Sequence, residues 1–272
     1  MTRSGAIANK FADLTDAGQK GFIPFVTAGD PDEKTSLAIL LKLAELGADA
    51  IELGVPFSDP MADGPTIQRS SQRALSGGTT LNRVLELAGK FRANTDVPLV
   101  LFSYFNPIMS YGIKKFADAA AAYGVDGLLL TDVVDDEADT ISDILNQKDI
   151  DLISLIAPTT GDKRLRRICS GARGFLYAIA RAGVTGARTE AATGAEALVR
   201  RARQFTDLPI AVGFGISSRG QVENVWEYAD AAIVGSAIVA EIEGSRPGDE
   251  VANVERLVRE LTGQVALALD QT

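Results

Sequence analysis

Eight short runs of apolar, β-prone residues recur along the chain, and they constrain its fold more than any other feature. They are FIPFVT (22–27), ADAIELG (48–54), PLVLFSY (98–104), GLLLTD (127–132), DLISLIA (151–157), GFLYAIA (174–180), PIAVGFG (209–215) and DAAIVGS (230–236). The segments between them carry helical stripes: Leu37, Leu40, Leu41 and Ala44; Leu81, Val84, Leu85 and Ala88; and the apolar positions of 251–269. Runs that are apolar on nearly every residue suit strands buried on both faces, hence a parallel sheet. Strands alternating with helices make βαβ units. Eight such units in 272 residues fit an α/β fold, a single (β/α)8 TIM barrel. An open doubly wound sheet is the weaker alternative, because GFGISS (213–218) offers Gly-x-Gly without a third glycine and comes near the end of the chain. No linker or composition break divides the sequence, so 1–272 reads as one domain, with an extra helix over about 4–17.

The connections are uneven. The surplus between the second and third strands is VPFSDPMADGPTIQ, and the loop after the sixth, RAGVTGARTEAATG (181–194), is long and rich in Gly and Thr. Long loops in compact folds are often functional, and both would lie at the C-terminal face of the barrel, where active sites are found.

Charge narrows the ligands. A net charge of −9, from 27 basic and 36 acidic residues, argues against nucleic acid or an anionic membrane as partner. The one basic run, KRLRR (163–167), reads as the solvated face of a helix. A single cysteine, Cys169, fits a reducing cytoplasm. The N-terminus has neither a long apolar core nor arginine enrichment, so no export or organelle signal is evident. No apolar stretch approaches the roughly 18–20 residues of a membrane span.

Glu52 is the anomaly in the second strand. Alternation turns Ile51 and Leu53 toward the helices and Glu52 into the barrel, near its C-terminal end. A carboxylate buried there without a partner is costly, which marks a functional residue more than a structural one. Asp63 and Asp59 both sit in the loop that follows, and each has an ordinary turn explanation. Either could work opposite Glu52, and the residues alone do not rank them.

Register also turns Val100, Phe102 and Tyr104, then Leu129 and Thr131, then Phe175, Tyr177 and Ile179 inward. The upper members make an apolar slot with a few hydroxyls, suited to a flat aromatic ligand. GFG (213–215) closes the seventh strand, and GSAIV (235–239) closes the eighth and opens a short helix. Phosphate sites in TIM barrels often lie there, with glycine letting backbone amides approach the anion. The chain has no histidine, one cysteine and no lysine in any strand run. A His-ligated metal, a zinc site and a strand-borne Schiff base are therefore disfavoured, which leaves acid–base work by carboxylates and by Tyr177.

These motifs resemble the tryptophan synthase α-subunit family over almost the whole chain: PFVTAGDP (24–31), ELGVPFSDPMADGPTIQ (52–68), ARAGVTGAR (180–188), GFGIS (213–217) and GSAIV (235–239). The second and third are highly specific together. The resemblance implies a TIM barrel that cleaves indole-3-glycerol phosphate to indole and glyceraldehyde 3-phosphate. It matches Glu52 to the catalytic glutamate, acting at indole C3 and the glycerol hydroxyl, and Asp63 to the aspartate that binds the indole N–H. It places Phe25, Phe102, Tyr104, Leu129, Thr131, Ile156 and Phe214 at indole-contacting positions and Tyr177 beside the glutamate. Thr185 matches the threonine of a mobile loop, and Gly186, Gly213, Gly215, Gly235 and Ser236 match a phosphate cradle. The chain departs mildly from the family at TDVVDDEA after the fourth strand and in the size of Thr131.

The implied partner is a β subunit that carries pyridoxal phosphate, in an α2β2 tetramer, with the FSDPMADGP loop and FNPIMSYG (105–112) facing it. No cofactor or metal is expected in this chain. Alternatives are a stand-alone lyase that releases free indole and a non-catalytic module that only activates a β partner; another phosphate-binding barrel enzyme is more distant.

Overall fold

Each of the eight apolar runs forms a strand, seven of them shorter than the run and the first one residue longer, because neighbouring strands on both sides and helices outside leave no wet face. The computed structural model describes residues 5–133, 136–179, 188–213 and 215–264. In chain order these form α1 (Ala6–Asp16), β1 (Gly21–Thr27), α2 (Glu33–Glu45), β2 (Ile51–Gly54), α3 (Pro65–Ser76), α4 (Leu81–Arg92), β3 (Leu99–Ser103), α5 (Phe105–Tyr111), α6 (Ile113–Ala122) and β4 (Gly127–Leu130). There follow α7 (Asp136–Asn146), β5 (Asp151–Ile156), α8 (Asp162–Gly171), β6 (Leu176–Ile179), α9 (Arg188–Ala202), β7 (Ile210–Gly213), α10 (Arg219–Tyr228), β8 (Ala231–Val234), α11 (Ser236–Gly244) and α12 (Glu250–Thr262). The strands pair in parallel in sequence order, and β8 returns to β1 to close the barrel.

Alternation along the strands divides the core into two layers. Ile23, Ala50, Val100, Leu129, Ile153, Phe175, Tyr177, Ala211, Ala231 and Ile233 fill the barrel. Ile51, Leu53, Leu99, Leu101, Leu128 and Leu152 face the helices. The extra N-terminal helix closes the bottom: Ile7, Phe11 and Leu14, spaced to share one face of α1, join the inner layer. The Phe11 ring lies 5.6 Å from that of Phe175.

A repeated device fixes the strand starts. Asp49, Asp126 and Asp230, each just before an even-numbered strand, accept hydrogen bonds from the backbone N–H of Phe22, Leu99 and Ile210 at 2.9, 2.8 and 2.7 Å. The corresponding place before β6 holds Arg173, whose guanidinium donates to Asp151 at the start of β5 (2.9 Å). These bonds lie at the N-terminal face, where they stabilise the barrel away from the chemistry.

Two expectations about loops change. The surplus after β2 is a loop of 55–64 followed by α3, because Pro65 suits the first turn of a helix and Gly64 its N-cap. The long connection after β6 is shorter than 181–194, because the alanine- and glutamate-rich stretch from Arg188 onward is already α9. Gly194 thus lies inside a helix and not in the loop. Residues 180–187, with the Thr185 and Gly186 expected in a mobile loop, lie outside the described residues. KRLRR falls on α8, with Leu165 buried and Lys163, Arg164, Arg166 and Arg167 exposed.

Candidate active site

Glu52 comes up from β2 between Phe25 of β1 and Val100 of β3 in the barrel register. It is buried, and its Oε1 meets no hydrogen-bond partner among the described residues. Burial alone pushes its carboxyl up to about 8, so near neutral pH Glu52 is held mostly as the acid.

Asp63 hangs from the loop above. Its pKa rises to about 6 through burial, drawn back by a hydrogen bond from the Tyr104 hydroxyl to Oδ2 (3.1 Å). The same hydroxyl accepts from the Ala62 N–H at 2.8 Å, and the Tyr104 ring rests 5.0 Å from that of Phe57. Gln68, from the first turns of α3, donates to the Asp63 carbonyl at 2.9 Å. Tyr104 and Gln68 therefore hold Asp63 directly, and Ala62 and Phe57 brace Tyr104. Asp59 is exposed, its carboxylate accepts a hydrogen bond from its neighbour Ser58, and it lies off the cavity wall.

Glu52 and Asp63 line one cavity of about 320 Å³ with Phe25, Phe102, Tyr177, Ile233, Gly215, Gly235 and Ser236. Phe25 and Phe102 meet edge to face, their centroids 5.4 Å apart. Small residues make room for Phe25: a Cβ on Gly54 would lie 2.6 Å from its ring, and one on Gly235 would crowd its Cβ at 3.3 Å. Tyr177 is buried beside the acids; burial, then the nearby Glu52 and Asp63 carboxyls, push its phenol well above its usual range. On the same wall α11 begins at Ser236 with Gly235 as its N-cap, and the first N–H groups of a helix have no partner within the helix. Gly215 holds φ +76°, a left-handed conformation that glycine adopts without strain.

Other expected positions fall elsewhere. Tyr104 acts through its hydroxyl on Asp63 and is off the cavity wall. Leu129 is buried in the inner layer below the cavity, and Thr131 stands beside Tyr104. Ile156 is displaced by one residue: Leu155 pairs with inward-facing Tyr177, whereas Ile156 pairs with Ala178 in the layer under the helices. Gly213 has a different reason to be small, since a Cβ there would overlap the Tyr177 hydroxyl and come 2.7 Å from its ring. Gly213 therefore makes room for Tyr177 and lies off the cavity wall. Phe214 lies outside the described residues. Phe57, Gln68 and Ile233 were not singled out by the sequence; Ile233 alone was open to the alternation argument that marks inward residues.

Among the described residues no group of three or more His, Cys, Asp and Glu side chains is placed to hold a metal ion. A barrel whose cavity is lined by one buried carboxyl, one half-buried carboxyl and the start of a helix belongs to the class of TIM-barrel enzymes built for an anionic substrate.

Comparison with known proteins gives the family. The model of the tryptophan synthase alpha chain family matches residues 11–266. The chain is 48% identical to the tryptophan synthase alpha chain of Acidiphilium cryptum over 89% of its own length and 88% of that protein. The structure of Mycobacterium tuberculosis tryptophan synthase superposes with a TM-score of 0.88 at 35% identity, covering 97% of this chain and 100% of that one. A structure of the tryptophan synthase α2β2 complex of Pyrococcus furiosus gives 0.84 at 41% identity, over 89% and 98% of the two chains. This chain belongs to the tryptophan synthase alpha chain family.

Proposed function

We propose that the chain is a lyase that cleaves indole-3-glycerol phosphate to indole and glyceraldehyde 3-phosphate, with Glu52 and Asp63 carrying the chemistry. The observation behind this reading is that both carboxyls line one cavity while their environments hold them apart, near 8 and near 6. Two carboxyls tuned apart can serve as acid and counter-ion at one pH. Neutral Glu52 donates a proton to indole C3. The ring then carries positive charge at nitrogen, and ionised Asp63 stabilises it through the N–H. Glu52, now the carboxylate, accepts the proton of the glycerol hydroxyl as the bond from C3 to the glycerol carbon breaks. The electron pair of that bond returns to the ring, giving indole and the aldehyde and restoring protonated Glu52.

Phe25, Phe102 and Tyr177 form the walls for the indole, and Gly215, Gly235 and Ser236 with the start of α11 seat the phosphate. Thr185 and Gly186 belong to the loop expected to close over them. The whole chain serves as one cytoplasmic domain. It needs no cofactor of its own, and pyridoxal phosphate belongs to the partner.

That partner is a tryptophan synthase β subunit, which receives the indole in an α2β2 tetramer. Two exposed methionines support this reading. Met61 is 93% exposed in the loop that carries Asp63, and Met109 is 57% exposed on α5, the two stretches expected to face the partner. Among the described residues no helix is long and apolar enough to cross a membrane. The test is incubation with indole-3-glycerol phosphate, with and without a β subunit. Indole and glyceraldehyde 3-phosphate should appear in equal amounts, slowly with the chain alone and faster with the partner. Turnover equal in both conditions would favour a stand-alone lyase, and no indole in either would favour a non-catalytic module.

A further inference from the structure

The helix that follows Asp63 is fastened at three places on two other parts of the barrel. Ser70 of α3 shares a buried hydrogen bond of 2.7 Å with Thr27 at the top of β1. One turn further on, Arg73 grips Asp30 with its Nε and Nη2, at 2.7 and 2.8 Å, and Asp30 is buried. The remaining arm of Arg73 donates to Glu243 Oε1 at 2.6 Å, and Arg69 holds both oxygens of the same carboxylate at 2.7 Å. Glu243 stands in the last turn of α11, the helix whose first turn borders the cavity. The Arg69 hydrogen bond, with Arg73 beside it, holds Glu243 down at about 2, so Glu243 keeps its charge at any working pH.

We infer that Arg73 is a positioning residue, which with Arg69 and Glu243 ties α3 to α11 and so sets where Asp63 stands relative to an anion seated at the start of α11. Isolated surface ion pairs contribute little. This cluster differs, because one of its two carboxylates is buried and both are held by forked, two-point bonds that fix orientation as well as distance. Gln68, one residue before Arg69, holds the Asp63 carbonyl, so a shift of α3 passes directly to the catalytic loop. A displacement of about 1 Å in a reacting group is enough to cost a large factor in rate.

The inference rests on the assignment of Asp63, and the experiment separates the two. Asp63→Asn, Arg73→Lys and Glu243→Gln are compared with wild type in the complex with the β subunit, on indole-3-glycerol phosphate. The readouts are kcat at saturating substrate as a function of pH, the affinity for glycerol 3-phosphate, and thermal stability. Glu243→Gln removes a surface charge and keeps the bond between Arg73 and buried Asp30, so it folds even if Arg73→Lys does not. It should lower kcat about five- to tenfold while changing glycerol 3-phosphate affinity no more than about twofold. The looser loop admits water to Asp63, so the acid limb of the kcat profile should move to lower pH by roughly half a unit. Arg73→Lys, which keeps the charge and loses the fork, should do the same more strongly. Wild-type kcat and acid limb in Glu243→Gln, with Asp63→Asn strongly impaired, would overturn the inference. So would a loss of kcat with no movement of the limb, which is the mark of plain destabilisation. Full turnover by Asp63→Asn would instead remove the assignment of Asp63 itself.

Discussion

Replacing Glu52 by glutamine separates the role of its charge from the role of its shape, and the structure gives the size of the effect. Burial raises the Glu52 carboxyl from 4.5 to about 8 in the folded chain. A group whose pKa is higher folded than unfolded binds its proton more tightly when folded. Its favourable contribution is therefore complete below the unfolded value and is lost as the pH climbs through the folded one. Each pH unit between the two values is worth about 1.36 kcal/mol, so wild type should lose roughly 4 kcal/mol between about pH 5 and pH 9 on account of this residue alone. Glutamine fills nearly the same volume and does not titrate, so Glu52→Gln should gain that amount on wild type as the pH rises, and the other ionisable groups cancel in the difference. Urea denaturation of both proteins at about pH 5, 7 and 9 measures it. The variant should be clearly the more stable at the alkaline end and close to wild type at the acid end, while its turnover falls by about 10²–10⁴-fold. Parallel stability curves would refute the claim that Glu52 is a neutral acid in an unpartnered site.

Three further substitutions probe the surrounding geometry. Tyr104→Phe removes the hydroxyl that holds Asp63 Oδ2 and the Ala62 N–H; kcat should drop about tenfold, and the acid limb should move up because Asp63 loses a bond that favours its charge, as a pH series of initial rates would record. Gly213→Ala pushes its methyl into Tyr177, so calorimetry should find indole affinity falling more than glycerol 3-phosphate affinity. Met61→Asp together with Met109→Asp puts charge on the exposed apolar positions, and should weaken β-subunit binding in titration calorimetry while the isolated chain keeps its own slow rate.

The barrel was legible because it rests on short-range patterns. Period-two alternation turned Glu52, Val100 and Tyr177 inward, and the stripe around Leu40 and Leu85 marked helices that pack on the outer layer. Glu52 stood out as an acid in an apolar strand, a conflict visible within a single strand run. What was not legible depends on contacts between distant parts of the chain. Asp63 and Asp59 look alike until Tyr104, 41 residues away, is seen to bond one of them. The pairing of Arg73 with Asp30 spans 43 residues and leaves no local trace. Gly213 reads as a turn or anion glycine until Tyr177 is found against it. The displacement of Ile156 by Leu155 is a one-residue matter of register at a strand end, where alternation no longer carries a strong constraint.

Two carboxyls working as an acid and a counter-ion with separate pKa values are the centre of the proposed mechanism, and the pH dependence of kcat/KM for indole formation tests that most directly. The measurement uses the complex with the β subunit and corrects for the substrate phosphate, whose second pKa lies at about 6. The rate should follow a bell, rising as Asp63 ionises near 6 and falling as Glu52 loses its proton near 8. The acid limb should disappear from the residual activity of Asp63→Asn and the basic limb from that of Glu52→Gln. A corrected profile that stays flat across this range, or limbs that survive both substitutions, would contradict it.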